Sequence, residues 1–379
     1  MKKLFHAVYV YLRQTDLWLW TLCLVLSGIG LVMLAGISYS ELISKVGPRK
    51  VLIQFAATGI GCVAALILSK FDYHTLTKLW KLHVPAAYFL VVLTFFIGHG
   101  TAMRQNDKSW FYLPGTSITV QPTEFLKISF ILILAYHLSI VHDQLNRPQT
   151  LLAVCAHGAV PVLLIHFQGD DGTAIVFAGI FICMVFAAGL DWKYIASAVG
   201  SLVVIAPAVW FFILNSDQKQ RIRILFRPEM QDKLGDYYQQ YQAKLAIGSG
   251  QVWGKGIFVD THTPVPEAHN DFIFAFIGES LGFVGCLAVI VILILLCTRL
   301  LSCAQHSQDM EGRLICVGIF AMVSVQAIIN IGMCLSLLPV IGITLPLVSN
   351  GGTSVLSTYM SIGLALSVHM HTTKNLFSE

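Results

Sequence analysis

Along most of the chain the apolar residues come in unbroken blocks, not in the alternating patterns of amphipathic elements. Each block approaches or exceeds the ~20 residues that carry a helix across a bilayer. Ten membrane-spanning helices are predicted, at about 17–38, 51–69, 80–99, 121–141, 150–167, 173–190, 193–214, 272–297, 313–338 and 345–368. Polar residues gather in short loops between the blocks, except in the longer segments Gly100–Val120 and Asn215–Asn270. The predicted fold class is therefore all-α: a polytopic membrane protein of about ten helices. Residues 1–379 form a single membrane domain, with one large extracytoplasmic loop over 215–270. Before the first block, Lys2, Lys3 and Arg13 alternate with apolar residues, which predicts an arm against the inner membrane surface.

Composition agrees with the pattern. Of 379 residues, 56% are hydrophobic and 12% charged, about half the charged share of a soluble domain. The net charge of +4 is dispersed, and no basic run points to a nucleic-acid partner. The nine cysteines sit mostly inside apolar blocks and form no CxxC pair, so they read as small buried hydrophobes. The first block is too long for a signal-peptide core, and it reads as a retained helix. Lys and Arg set the orientation. With the N-terminus inside, the short inner segments hold eleven and the short outer loops five. Both termini are expected in the cytoplasm, which turns the 215–270 loop outward.

Chemistry concentrates where that loop ends. Glu267, His269 and Asp271 stand directly before the block that starts at Phe272. Asp271 is thus expected where water gives way to hydrocarbon, a costly place for a carboxylate and one that marks a task. Glu279 lies further along the same helix, supporting the same cavity or fixing packing. Three donors without a full set do not make a tight metal site; a loosely held Mg2+ or Mn2+ shared with substrate phosphates fits better. Glu124 and Lys127 are spaced i,i+3 and share a helix face. They are either a packing ion pair or the lining of a polar cavity. Asp170 is placed to cap the sixth span. Ser349-Asn350-Gly351-Gly352-Thr353-Ser354 precedes the last span; Gly351 and Gly352 either present backbone N–H groups to an anion or make a tight turn. Asn330 and Gln326 read as interhelical hydrogen bonders.

Together these motifs resemble the SEDS family of bacterial shape, elongation, division and sporulation proteins. The resemblance rests on Pro266-Glu267-x-His269-x-Asp271-Phe272-Ile273-Phe274, Ile277-Gly278-Glu279-x-Leu281-Gly282-Phe283, Gln121 to Lys127, Asp170-x-Gly172-Thr173, Ala246 to Gly250, and Asn330 through Ser354. It covers nearly the whole chain. Asn350, Ser280, Gly169 and Asp171 depart from the family's usual residues. Lys108-Ser109-Trp110, where division-type members carry paired arginines, and the short tails lean towards the RodA type over the FtsW type.

The resemblance implies a peptidoglycan glycosyltransferase that polymerises lipid II into β-1,4 glycan at the outer membrane face, for cell elongation and shape. It implies a class B penicillin-binding protein as partner. It carries the family's essential aspartate onto Asp271 and its paired charges onto Glu124 and Lys127. In that chemistry Asp271 is the base, tuned by burial and by Lys127, and inversion is expected. Lys50, Arg221 and Lys255 are candidates to hold pyrophosphate. A lipid II flippase or transporter, an FtsW-type division polymerase and a non-catalytic scaffold are the alternatives.

Overall fold

The computed structural model describes residues 9–40, 47–100, 107–113, 115–116, 118–214, 216–226 and 238–376. Each predicted span falls on a helix. These are α1 (Leu17–Tyr39), α2 (Pro48–Lys70), α3 (Trp80–Ile97), α4 (Pro122–Val141), α5 (Pro148–Phe167), α6 (Asp171–Ala187), α7 (Trp192–Ala208), α8 (Ile273–His306), α9 (Met310–Cys334) and α10 (Gly352–Leu376). Among the described residues, eight helices are long and apolar enough to cross a membrane. Of the ten, α6 is short, at 17 residues; α7 has the same length but is prolonged by a turn over Val209–Ile213, and α10 is the more polar.

Local sequence sets the helix starts. Asp16 caps α1 by accepting from the N–H of Trp18 at 2.9 Å and of Leu19 at 3.2 Å. Asp170 caps α6 through Thr173 N at 3.0 Å, as its position predicts. Pro48, Pro122 and Pro148 stand in the first turns of α2, α4 and α5, where a missing N–H costs nothing. Helix α9 is central, with 72% of its most apolar stretch buried, against 0% for the span that begins at Trp192. Helices α2 and α10 approach closely: a Cβ on Gly363 would lie 2.7 Å from Ala65 Cα. Such contacts between small residues are how helices gain packing where lipid supplies no hydrophobic drive.

Four features depart from the sequence reading. The ninth helix ends at Cys334 and the tenth begins at Gly352, so residues 335–351 form an irregular apolar segment. A two-stranded hairpin interrupts the all-helical pattern, β1 (Phe111–Tyr112) pairing antiparallel with β2 (Thr119–Val120). The 215–270 loop carries helices at Ser216–Phe226 and Tyr238–Gly250.

The fourth departure is a break inside α8. Gly282 takes φ 68°, ψ −163°, a conformation open essentially to glycine alone. The orphaned backbone groups are completed by the glycine-rich stretch after Gly250. Lys255 N donates to Glu279 O at 2.9 Å and Gly256 N to Ser280 O at 3.0 Å. In return Phe283 N donates to Gln251 O at 2.8 Å and Val284 N to Val252 O at 3.2 Å. The loop can come this near because Gly254 has no side chain; a Cβ there would lie 2.2 Å from Ser280 O. The run after Asp271 is thus a buried segment, Ile273 to Leu281, followed by a second segment long enough at about 1.5 Å per residue to span by itself.

Candidate active site

A cavity of about 1010 Å³ collects most of the residues picked out by sequence. Lys50, Glu124, Glu267, His269, Asp271, Gly351 and Gly352 all line it. It also takes in Ile53, Ala57 and Ile60 along one side of α2, so one flank is aliphatic.

The segment carrying Asp271 is fixed by its backbone. Three successive carbonyls each accept from a different donor. His269 O accepts from Asn350 N at 2.9 Å, Asn270 O from Ser349 Oγ at 2.6 Å, and Asp271 O from Asn330 Nδ2 at 2.8 Å. Asn330 also donates to Ile343 O at 2.7 Å, so one amide joins the irregular segment to the Asp271 turn. The expectation of an interhelical role for Asn330 is met by a more specific one. Asn350, a departure from the family pattern, makes a second contact through Nδ2 to Asn270 Oδ1 at 3.3 Å.

His269 and Lys50 form the charged part of the wall. Lys50 Nζ donates to His269 Nε2 at 2.7 Å. An ammonium has no lone pair to offer, so the imidazole is neutral and carries its proton on Nδ1. Burial and then the Lys50 charge push the His269 pKa down to about 4. Glu267 lies 3.9 Å from the same Nε2 and accepts from Asn270 Nδ2 at 2.8 Å. Its φ of 54° is left-handed, unusual for a residue with a side chain.

Glu124 and Lys127 pair at 2.9 Å, with side chains only 5% and 1% exposed. Both readings of the pair hold in part. Glu124 lines the cavity and also accepts from Ser357 Oγ of α10, while Lys127 lies behind it, outside the lining. The ammonium expected to tune Asp271 bonds Glu124.

Two predicted residues belong elsewhere. Glu279 is fully buried and does not line the cavity. Its carboxylate accepts from Lys255 Nζ at 2.7 Å, Thr263 N at 2.9 Å and Thr263 Oγ1 at 2.7 Å. It anchors the 215–270 loop onto α8, the packing alternative. Lys255 is committed to Glu279, so the pyrophosphate role expected for it is not supported. The side chain of Arg221 lies outside the described residues. Gly351 N donates to Gln54 Oε1 at 3.2 Å, which occupies an N–H group that the anion reading needed.

Gln54 is a site residue the sequence reading passed over. It is buried, and its Nε2 also donates to Ser349 O at 3.0 Å. The available signal was an amide inside an apolar span, which needs a partner there. His99, Asp107, Trp110 and Tyr112 line the cavity as well and were not singled out as site residues.

The protein-family model for FtsW, RodA and SpoVE, described as cell cycle protein, matches residues 16–374. Peptidoglycan glycosyltransferase MrdB of Escherichia coli K12 is 31% identical over 351 residues, covering 90% of this chain and 92% of that one. The probable peptidoglycan glycosyltransferase FtsW of Trichlorobacter lovleyi is 31% identical, covering 94% and 93%. Stage V sporulation protein E of Bacillus subtilis is 33% identical, covering 83% and 85%. A solved peptidoglycan synthase complex, described as coordinating polymerization and crosslinking, has a chain that superposes with TM-score 0.79 at 25% identity, over 96% of this chain and 99% of that one. A mutant of the rod shape determining protein RodA of Thermus thermophilus gives TM-score 0.69 at 25% identity, with the same coverage.

Proposed function

The chain belongs to the FtsW/RodA/SpoVE family of cell cycle proteins, and on that premise we propose that Asp271 is the base with which it polymerises lipid II. The protein is a multi-pass membrane peptidoglycan glycosyltransferase. The observation that carries the role of Asp271 is the clamp on three consecutive carbonyls, His269 to Asp271. It holds one carboxylate on the wall of a cavity that also presents Lys50 and Glu124. Positioning a base in this way is worth more than its basicity alone.

The acceptor's 4-hydroxyl attacks C1 of the donor sugar as Asp271 takes the hydroxyl proton. The C1–O bond to the pyrophosphate breaks, and the electron pair leaves with the phosphate oxygen. One displacement on an α-linked donor inverts C1 and gives a β-1,4 link. Lys50, steered by the neutral His269, supplies positive charge for the departing pyrophosphate. The aliphatic flank of α2 suits the polyprenyl part of the donor.

Glu267 and Asp271 offer hard oxygen donors on one wall, which fits a loosely bound Mg2+ or Mn2+ completed by water and phosphate. Such an ion would add charge stabilisation for pyrophosphate. We place both termini in the cytoplasm and the Asp271 end outside, from the excess of inner Lys and Arg. The likeness to a synthase complex supports a crosslinking partner, a class B penicillin-binding protein. Identity to MrdB and to FtsW is the same, 31%. The lean to elongation and shape therefore rests on Lys108-Ser109-Trp110.

The test is purified chain, with and without a class B penicillin-binding protein, given labelled lipid II and Mg2+ or Mn2+, with a chelator control. Polymer from wild type and none from Asp271→Asn is the expected result. Polymer from both removes Asp271 from the chemistry. Polymer from neither, with folded protein, moves the reading to lipid II transport, which vesicle translocation would then measure.

A further inference from the structure

One part of the cavity wall has no task in the chemistry above. Trp110, Tyr112 and His99 line it together with Asp107. The rings of His99 and Tyr112 stack at 4.2 Å with planes 22° apart. Tyr112 is 56% exposed, so the phenol ring still presents surface to an incoming group. Asp107 is only 5% exposed, and its Oδ1 accepts from the buried Ser109 hydroxyl.

This wall is built, not draped. His99 N donates to Trp110 O at 2.8 Å and Trp110 N to His99 O at 3.3 Å, which ties the end of α3 to the hairpin. Lys108 N donates to Gln168 O at 3.2 Å, and Gln168 Nε2 returns a bond to Lys108 O at 3.3 Å. A Cβ on Gly98 would lie 2.5 Å from Lys108 O, so the approach is as close as a backbone permits. From the aromatics the chain runs through β1 and β2 into α4, whose first turn holds Glu124. The wall thus lies directly before the charged site along the chain.

The chemistry of this wall differs from that of the aliphatic flank on α2. Aromatic faces beside a carboxylate and an imidazole suit a saturated sugar ring, apolar on its axial C–H face and hydroxylated at its rim. A polyprenyl chain needs no such pairing, and a pyrophosphate would be repelled by Asp107. We infer that His99, Trp110 and Tyr112, with Asp107 at their edge, form a pyranose-stacking subsite for an N-acetylhexosamine unit. The inference rests on the polymerase reading of the cavity. The unit comes either from the head group of the lipid-linked precursor or from the growing strand.

The probe is chitotetraose, a soluble β-1,4 N-acetylglucosamine tetramer, titrated into full-length protein in nanodiscs and followed by saturation-transfer NMR. Wild type binds it. Trp110→Ala and Tyr112→Ala each weaken binding roughly ten-fold, while Trp110→Phe and Tyr112→Phe, which keep an aromatic face, retain it. No binding by wild type, or equal binding by the alanine variants, overturns the subsite. Binding of the tetramer is read without turnover, so a failure of the catalytic reading leaves this result standing. Polymerisation assays then separate the sources. Shorter glycans from the alanine variants assign the growing strand, and a raised KM for lipid II at unchanged glycan length assigns the precursor. Neither change, with thermal unfolding as in wild type, also overturns it.

Discussion

Asn330 holds Asp271 by its main chain: Nδ2 donates to the Asp271 carbonyl at 2.8 Å, while the same amide bonds Ile343 O at 2.7 Å. Asn330 is fully buried. Its removal takes the amide donor from Ile343 O and leaves Asp271 O the weaker thiol contact from Cys334 Sγ at 3.7 Å; a buried carbonyl left unsatisfied costs about 1–3 kcal/mol. Asn330→Ala is expected to lower the thermal midpoint and the polymerisation rate together. Asp271→Asn is expected to abolish polymer while leaving the midpoint near wild type. An Asn330→Ala protein of unchanged stability and rate would show that the clamp does not position the aspartate.

Glu124 and Lys127 make the opposite case, a pair in which losing one partner is worse than losing both. Lys127→Ala leaves a buried carboxylate with, among the described residues, the Ser357 hydroxyl for support. Breaking a buried pair in this way costs about 3–5 kcal/mol. The double variant Glu124→Gln, Lys127→Met removes both charges and is expected to be milder than Lys127→Ala. A thermal double-mutant cycle reads the coupling, and simple additivity of the single changes would contradict it.

His269 gives the site a pH dependence of known sign. Its pKa is about 4 in the folded protein, below the ordinary value of 6.5. Between those values the unfolded chain binds a proton that the folded chain does not. Stability from the neutral imidazole is complete above about pH 6.5 and is lost as pH falls towards 4. The groups facing it are Lys50, whose hydrogen bond protonation would break, and Glu267, which partly offsets the new charge. His269→Gln keeps an acceptor for Lys50 without titrating. Its stability between pH 4 and 6.5 is expected to be flatter than wild type, as measured by thermal unfolding across that range.

The features legible in the sequence were those set by local physics. Block length located ten helices, spacing paired Glu124 with Lys127, and Asp170 capped α6 as its place before a helix requires. The illegible features came from distant partners. Residues 335–351 are as apolar as a span, yet their backbone is held by Asn330, Gln240 and Gln54, which hydropathy does not report. Lys255 and Glu279 looked like site residues because both are charged near a motif. Their mutual bond shows that a buried carboxylate can serve a loop instead. The aromatic wall was hidden because His99 and Tyr112 meet only through a hairpin between two spans.

The break in α8 hid for the same reason, since Gly282, between Gly278 and Gly285 in an apolar run, reads as an ordinary helical residue. Its partner is the Gln251–Gly256 stretch, which supplies donors to Glu279 and Ser280 and acceptors to Phe283 and Val284. Two glycines make the fit possible. Both take a left-handed φ, 68° at Gly282 and 81° at Gly254, and a Cβ would fall 2.5 Å from Val252 O at the first and 2.2 Å from Ser280 O at the second. Gly254→Ala must push the loop away and is expected to expose the Phe283 and Val284 amides to hydrogen exchange. Gly282→Ala strains the break from the other side and should give the same pattern. Because the displaced loop leads through Thr263 to Glu267 and Asp271, both variants are expected to lose polymerisation as well. Unchanged exchange at Phe283 and Val284 in Gly254→Ala would mean that the break closes without the loop. The glycines would then be dispensable to the site.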